Sequence, residues 1–130
     1  MTDSTPTRGQ LERTLSQRIQ ALYRNRLGHR LGNVDCQIFD EKIAIVLENA
    51  VTQPEQLLAN NGKEDLVEQI HSDISEVMQP QLKELIETIV GVPVVDLLTD
   101  TKLETERTGM IAVLSGSPQV RMVNGAGTKS

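Results

Sequence analysis

Few residues in this 130-residue chain have the types and spacing that chemistry requires. Glu68-Gln-Ile-His71 places a carboxylate and an imidazole one helical turn apart, the half-motif of di-iron bundles. Such a centre needs a second copy and further glutamates. The chain has one copy, and the pair falls beside the apolar positions of its segment, so a solvated helix face is expected. His29 and Cys36 could act as base and nucleophile. Cys36, however, occupies an alternating apolar position of a strand, where an unpaired cysteine behaves as a small hydrophobe, and no oxyanion or orienting group can be assigned to it. Asp96, Asp100, Glu104 and Glu106 could attract a hard cation, but a calcium loop's glycine and final glutamate are missing from their spacing. Gly62-Lys63 lacks a phosphate loop's first glycine and leading strand, and Glu64 stands where the hydroxyl residue belongs. An enzyme needs acid, base and nucleophile within mutual reach. None converge here. The expectation is a protein that is not an enzyme, with no catalytic or metal-ligating residue and no cofactor.

The elements that would position these residues follow from periodicity. From about Gln10 to Leu27, the residues Leu11, Leu15, Ile19 and Leu22 recur at helical spacing. Gly28 is a fitting stop after Arg24 and Arg26. In VDCQIFDEKIAIVLE two alternating runs rich in β-branched residues flank Asp40-Glu41, a β-hairpin pattern. Thr52-Gln-Pro-Glu55 reads as a helix start, with a threonine cap, a proline in the first turn and glutamate three residues after the cap. That helix is short, since Asn60-Asn61-Gly62 is a turn.

A long helix over about 63–90 is marked by Leu66, Ile70, Ile74, Val77, Leu82, Leu85 and Ile89. Their phase continues across Pro80, so the proline should bend the helix without ending it. Gly91 then releases the chain into strands at 92–100 and 108–115, joined by the charged link TKLETER. The order predicts an α+β two-layer sandwich: an antiparallel sheet of two hairpins, the long Pro-kinked helix and the N-terminal helix. Residues 1–9 are expected to be disordered, 10–115 to form the single domain and 116–130 to be a flexible tail.

Composition narrows the function. Tyr23 and Phe39 are the only aromatics, so the core is aliphatic and there is no stacking platform for single-stranded nucleic acid. The longest uninterrupted apolar run, IAIVL at 43–47, is far short of the ~20 residues of a membrane span. The polar start MTDSTPTRGQ lacks a signal-peptide core, and the single cysteine, Cys36, suits a reducing compartment. A cytoplasmic protein is expected. The net charge of −5 is unevenly placed: residues 1–30 carry six arginines against Asp3 and Glu12, whereas residues 31–130 carry 7 basic and 16 acidic residues. The basic end suggests nucleic acid or anionic lipid, but the acidic body repels phosphates, so nucleic acid is the alternative and not the first reading. IAIVL is apolar on both sides of its strand. Its second face needs cover from the first helix or from a second subunit, and dimerisation is expected.

Two stretches, FDEKIAIVLENAVTQPEQ (39–56) and MQPQLKELIETIVGVPVVDLLTD (78–100), resemble the MpsC family, a domain named for a Na+-translocating, membrane-potential-generating system. The resemblance covers roughly residues 10–115. It departs from the family pattern in GHRLGN (28–33), which has no proline where a Gly-Arg-Gly-Pro-like turn is usual, and in Val-Thr-Gln-Pro-Glu where Leu-Thr-Pro-Ala-Glu is. The resemblance implies an accessory or regulatory role near ion or inorganic-carbon transport, with a protein partner at the membrane or a small effector. The expected partner contacts are Arg24, Arg26, His29 and Arg30 in the basic first helix and the turn after it.

Overall fold

The computed structural model describes residues 4–121. Helix α1 (Arg8–Leu27) is followed by strands β1 (Val34–Phe39) and β2 (Lys42–Leu47), helices α2 (Gln53–Asn60) and α3 (Glu64–Val90), and strands β3 (Val94–Lys102) and β4 (Arg107–Leu114). The four strands form one antiparallel sheet in the order β1-β2-β4-β3, so the two hairpins meet through β2 and β4. This is the α+β fold expected, with both long helices on the same face.

Local chemistry sets the ends of the elements. The Thr7 hydroxyl accepts from the Gln10 N–H while the Gln10 side chain accepts from the Thr7 N–H, so α1 begins two residues earlier than its apolar pattern suggests. Gly28 and Gly91 close α1 and α3 with φ of 61° and 79°, a left-handed backbone that costs glycine nothing. Helix α3 continues through Pro80. Residues 1–3 and 122–130, parts of the two segments expected to be unstructured, lie outside the described residues. Of the expected tail, residues 116–121 return to the domain: Pro118 is buried, Val120 packs against the core and the Arg121 N–H donates to the Pro6 carbonyl.

The core lies between the helices and the inner sheet face. Leu11, Leu15, Ile19 and Tyr23 of α1 join Cys36, Ile38, Ile43, Ile45, Leu47, Met110, Ala112 and Leu114 of the sheet and Met78, Leu82, Ile86 and Val90 of α3. The apolar count places Ile74, Leu82, Leu85 and Ile89 correctly in or against the core, but in the first half of α3 it selects the wrong face. Leu66 and Val77 are 48% and 68% exposed, whereas Val67 and Met78 are buried. The first half of α3 carries two adjacent apolar stripes, and the inward one, Val67–His71–Ile74–Met78, contains a histidine. Counting apolar residues there therefore favours Leu66 and Val77 over Val67 and Met78. His71 of that stripe bonds to Glu55, as described below.

Among the described residues no helix lies on the opposite sheet face. Register places Gln37, Ala44, Ile111 and Leu98 in one row across the sheet, with Asp35, Val46, Gly109 and Asp100 on one side of it and Phe39, Lys42, Val113 and Asp96 on the other. Phe39, Val46 and Leu98 are 44%, 40% and 53% exposed on this face. The first helix packs into the inner core, so it does not cover the outer side of β2.

Candidate functional site: an acidic cleft beside an edge strand

The structure brings together residues that no sequence spacing connects. The capping box at Thr52 forms as expected, but its glutamate turns inward and is 2% exposed. Glu55 Oε1 accepts from the Thr52 N–H at 3.0 Å and from the Thr52 hydroxyl at 2.8 Å, and Oε2 lies 2.7 Å from His71 Nδ1. His71 Nε2 lies 2.8 Å from the Thr101 hydroxyl, which is 2.6 Å from that of the buried Thr108. A chain of hydrogen bonds thus ties α2, α3, β3 and β4 to one another.

Its electrostatics are settled by Glu55. Burial alone would raise its carboxyl, but the hydrogen bonds from His71 and from the Thr52 N–H and hydroxyl outweigh it and hold the group below the ordinary carboxylate range. Glu55 is therefore an anion that accepts from His71 Nδ1–H. The Thr101 hydroxyl lies between His71 Nε2 and the Thr108 hydroxyl. The order carboxylate, imidazole, hydroxyl is that of hydrolase triads. Here the hydroxyl is engaged on both sides, and what the chain of bonds achieves is to fix α3 against the hairpin of β3 and β4. His71 accordingly does not lie on a solvated face as expected, whereas Glu68 beside it is exposed. The signal that could have revealed the pair is a lone polar residue within an otherwise apolar helical stripe.

Above this bond chain lies a cleft of about 860 Å³ between α3 and the outer edge of β3. The helix side carries Glu64, Glu68, His71, Ser72, Ser75, Glu76 and Gln79, and the strand side runs from Thr99 to Glu104. Glu64, Glu68 and Glu76 on the helix side and Glu104 on the strand side make the lining acidic, while register turns the side chains of Asp100 and Lys102 toward the outer face of the sheet. Asp100 and Glu104 of the expected acidic set line it. The other two are used elsewhere: Asp96 accepts from the Leu97 N–H, and Glu106 accepts from the Gln56 side chain.

The expected partner contacts lie at the far end of α1. Arg24 and Arg30 flank a depression of about 170 Å³ with Gln20, Leu31 and Gly32, while Arg26 is exposed outside it. His29 is engaged within the fold: its Nε2 lies 2.6 Å from the Asn49 carbonyl. Cys36 sits on β1 in the core, apart from His29. Burial, with Asp35 and Glu12 adding to it, pushes its thiol up to about 12, which leaves no thiolate at neutral pH. No helix among the described residues is long and apolar enough to cross a membrane.

Against known proteins, residues 7–116 match the family model for MpsC, described as a Na+-translocating membrane potential-generating system. The comparison with curated proteins gives no match, and neither does the comparison with solved structures.

Proposed function

The chain belongs to the MpsC family, and from that premise we propose that it is a non-enzymatic accessory module working in the cytoplasm as a homodimer. In this reading it serves a membrane system that moves ions or inorganic carbon, and binds a protein partner there. The observation that carries the reading is the uncovered outer sheet face. An antiparallel sheet can leave one face to water when that face is polar. Here the middle row holds Ala44, Ile111 and Leu98, with Val46, Phe39 and Val113 beside them. A contiguous apolar patch of this kind marks an interaction surface, and a second copy of the same sheet is the occupant that buries it on both chains at once.

The non-enzymatic role is supported by the Thr101 hydroxyl being held between His71 and Thr108. The buried, unpaired Cys36 suits a reducing compartment. Arg24, Arg26 and Arg30 are exposed at the end of α1 and supply cationic contacts to the partner, contacts that weaken with salt.

The dimer is tested by the variant Val46→Asp/Leu98→Asp. Both side chains are exposed in the single chain, so the fold should survive with unchanged helical circular dichroism. Light scattering should then give half the mass of the unaltered protein. A variant that keeps the unaltered mass would remove the sheet face from the account.

A further inference from the structure

The sheet has two edges, and the chain treats them differently. At β1 the edge is covered by α1: the Ser16 hydroxyl donates to the Val34 carbonyl at 2.8 Å, and the Ile38 N–H donates to Glu12 Oε2 at 2.8 Å. At β3 the cover stops partway. The Val94 N–H donates to Glu87 Oε2, and Gln79 Nε2 donates to the Leu97 carbonyl. Beyond Gln79 the edge borders the cleft.

Register shows which backbone groups point there. The Leu97 carbonyl is turned toward α3, and the Lys102 carbonyl accepts inside the hairpin from the Glu106 N–H. In an antiparallel ladder the direction alternates with every residue, so Thr99 and Thr101 turn their N–H and C=O outward with Leu97. The 2.6 Å approach of the Thr101 and Thr108 hydroxyls agrees, because side chains come closest at pairs that exchange no backbone bonds. Both outward residues line the cleft, and among the described residues no backbone group pairs with them across it.

We propose that this cleft is a peptide groove in which an extended, Lys- and Arg-rich segment of a partner protein adds as a fifth strand on β3, beside α3. A groove between an edge strand and a helix is one in which main-chain bonds supply affinity and flanking side chains supply selectivity. An unpaired edge is a template for such addition. Charge sets the partner's sign: Glu64, Glu68 and Glu76 on the helix and Glu104 on the strand side make the lining acidic. The bond chain from Glu55 to Thr108 keeps the two walls in place before anything binds. Cytoplasmic loops of membrane proteins carry an excess of Lys and Arg. A membrane protein as the source of the segment rests on the accessory role proposed above; the strand addition itself does not.

The test uses the full chain and a synthetic peptide of about eight residues alternating lysine with threonine, together with the same peptide N-methylated at every second residue. At about 20 mM salt the unmethylated peptide should bind, and its affinity should fall as salt is raised. Amide exchange at Thr99 and Thr101 should slow at least about tenfold on binding, and the methylated peptide should bind at least about tenfold more weakly. Thr99→Pro removes an outward N–H at an edge position where proline is tolerated; it should melt near the unaltered protein and lose at least about tenfold in affinity. Glu68→Lys, on the exposed helix wall, should weaken binding as well. Absence of binding at low salt overturns the proposal. So does binding that leaves the Thr99 and Thr101 amides unchanged or ignores methylation. Neither result bears on the dimer, which is read from mass.

Discussion

Leu15→Ala is expected to destabilise the protein by about 3 kcal/mol and to lower its melting temperature by roughly 10 °C, read by thermal denaturation. Leu15 is fully buried where α1 meets the sheet, in one cluster with Ile19, Ile43 and Ile45. Truncation removes the transfer energy of the side chain and leaves a void between layers that cannot easily close. The contrasting variant is Val77→Ala on α3. Val77 lies on the stripe that apolar spacing favours, yet it is 68% exposed, so its loss should cost under ~0.5 kcal/mol in the single chain. A large cost at Val77 and a small one at Leu15 would mean that the layers pack differently from the structure described.

The second large effect is expected at Glu55. Glu55→Gln should cost about 2 kcal/mol at pH 7, because His71 Nδ1–H loses an anionic acceptor in a buried place. The pH dependence has a definite sign. The carboxyl of Glu55 sits lower in the folded protein than its ordinary value of 4.5, so folding favours the anion. Its stabilisation is complete above about pH 4.5 and is lost as pH falls through the folded value. The stability difference between the unaltered protein and Glu55→Gln should therefore shrink as pH falls below about 4.5. Urea unfolding at a series of pH values measures it. A difference that grew as pH fell below about 4.5 would mean that Glu55 is stabilised as the neutral acid.

Much of the fold is legible in the residues because it is local. Thr52, Pro54 and Glu55 announce a helix start within four positions, the alternation of Val34–Phe39 and Lys42–Leu47 announces a hairpin, and Gly28 and Gly91 mark stops that need positive φ. The family resemblance is legible for the same reason, being carried by two continuous stretches. What escapes the sequence is long-range. The side of α3 that faces inward carries His71, which bonds to Glu55 16 residues away, and a polar residue inside a buried stripe looks like a break in it. The sheet order that leaves β3 at an edge depends on β2 choosing β4 as its neighbour, which no local pattern states. The cleft needs both facts at once. Its acidic residues are visible one by one, but their common wall is not.

The basic first helix also changes meaning in the structure. Leu11, Leu15, Ile19 and Tyr23 place it in the core, so deleting it would remove the fold together with any contact its arginines make. The dimer is therefore best measured on the intact chain. The most direct measurement is its solution mass by light scattering over a range of concentrations. The account predicts twice the 14.4 kDa of one chain, falling toward a single chain only on dilution. A mass of one chain at every concentration would contradict it, and the apolar outer face of the sheet would then belong to another protein.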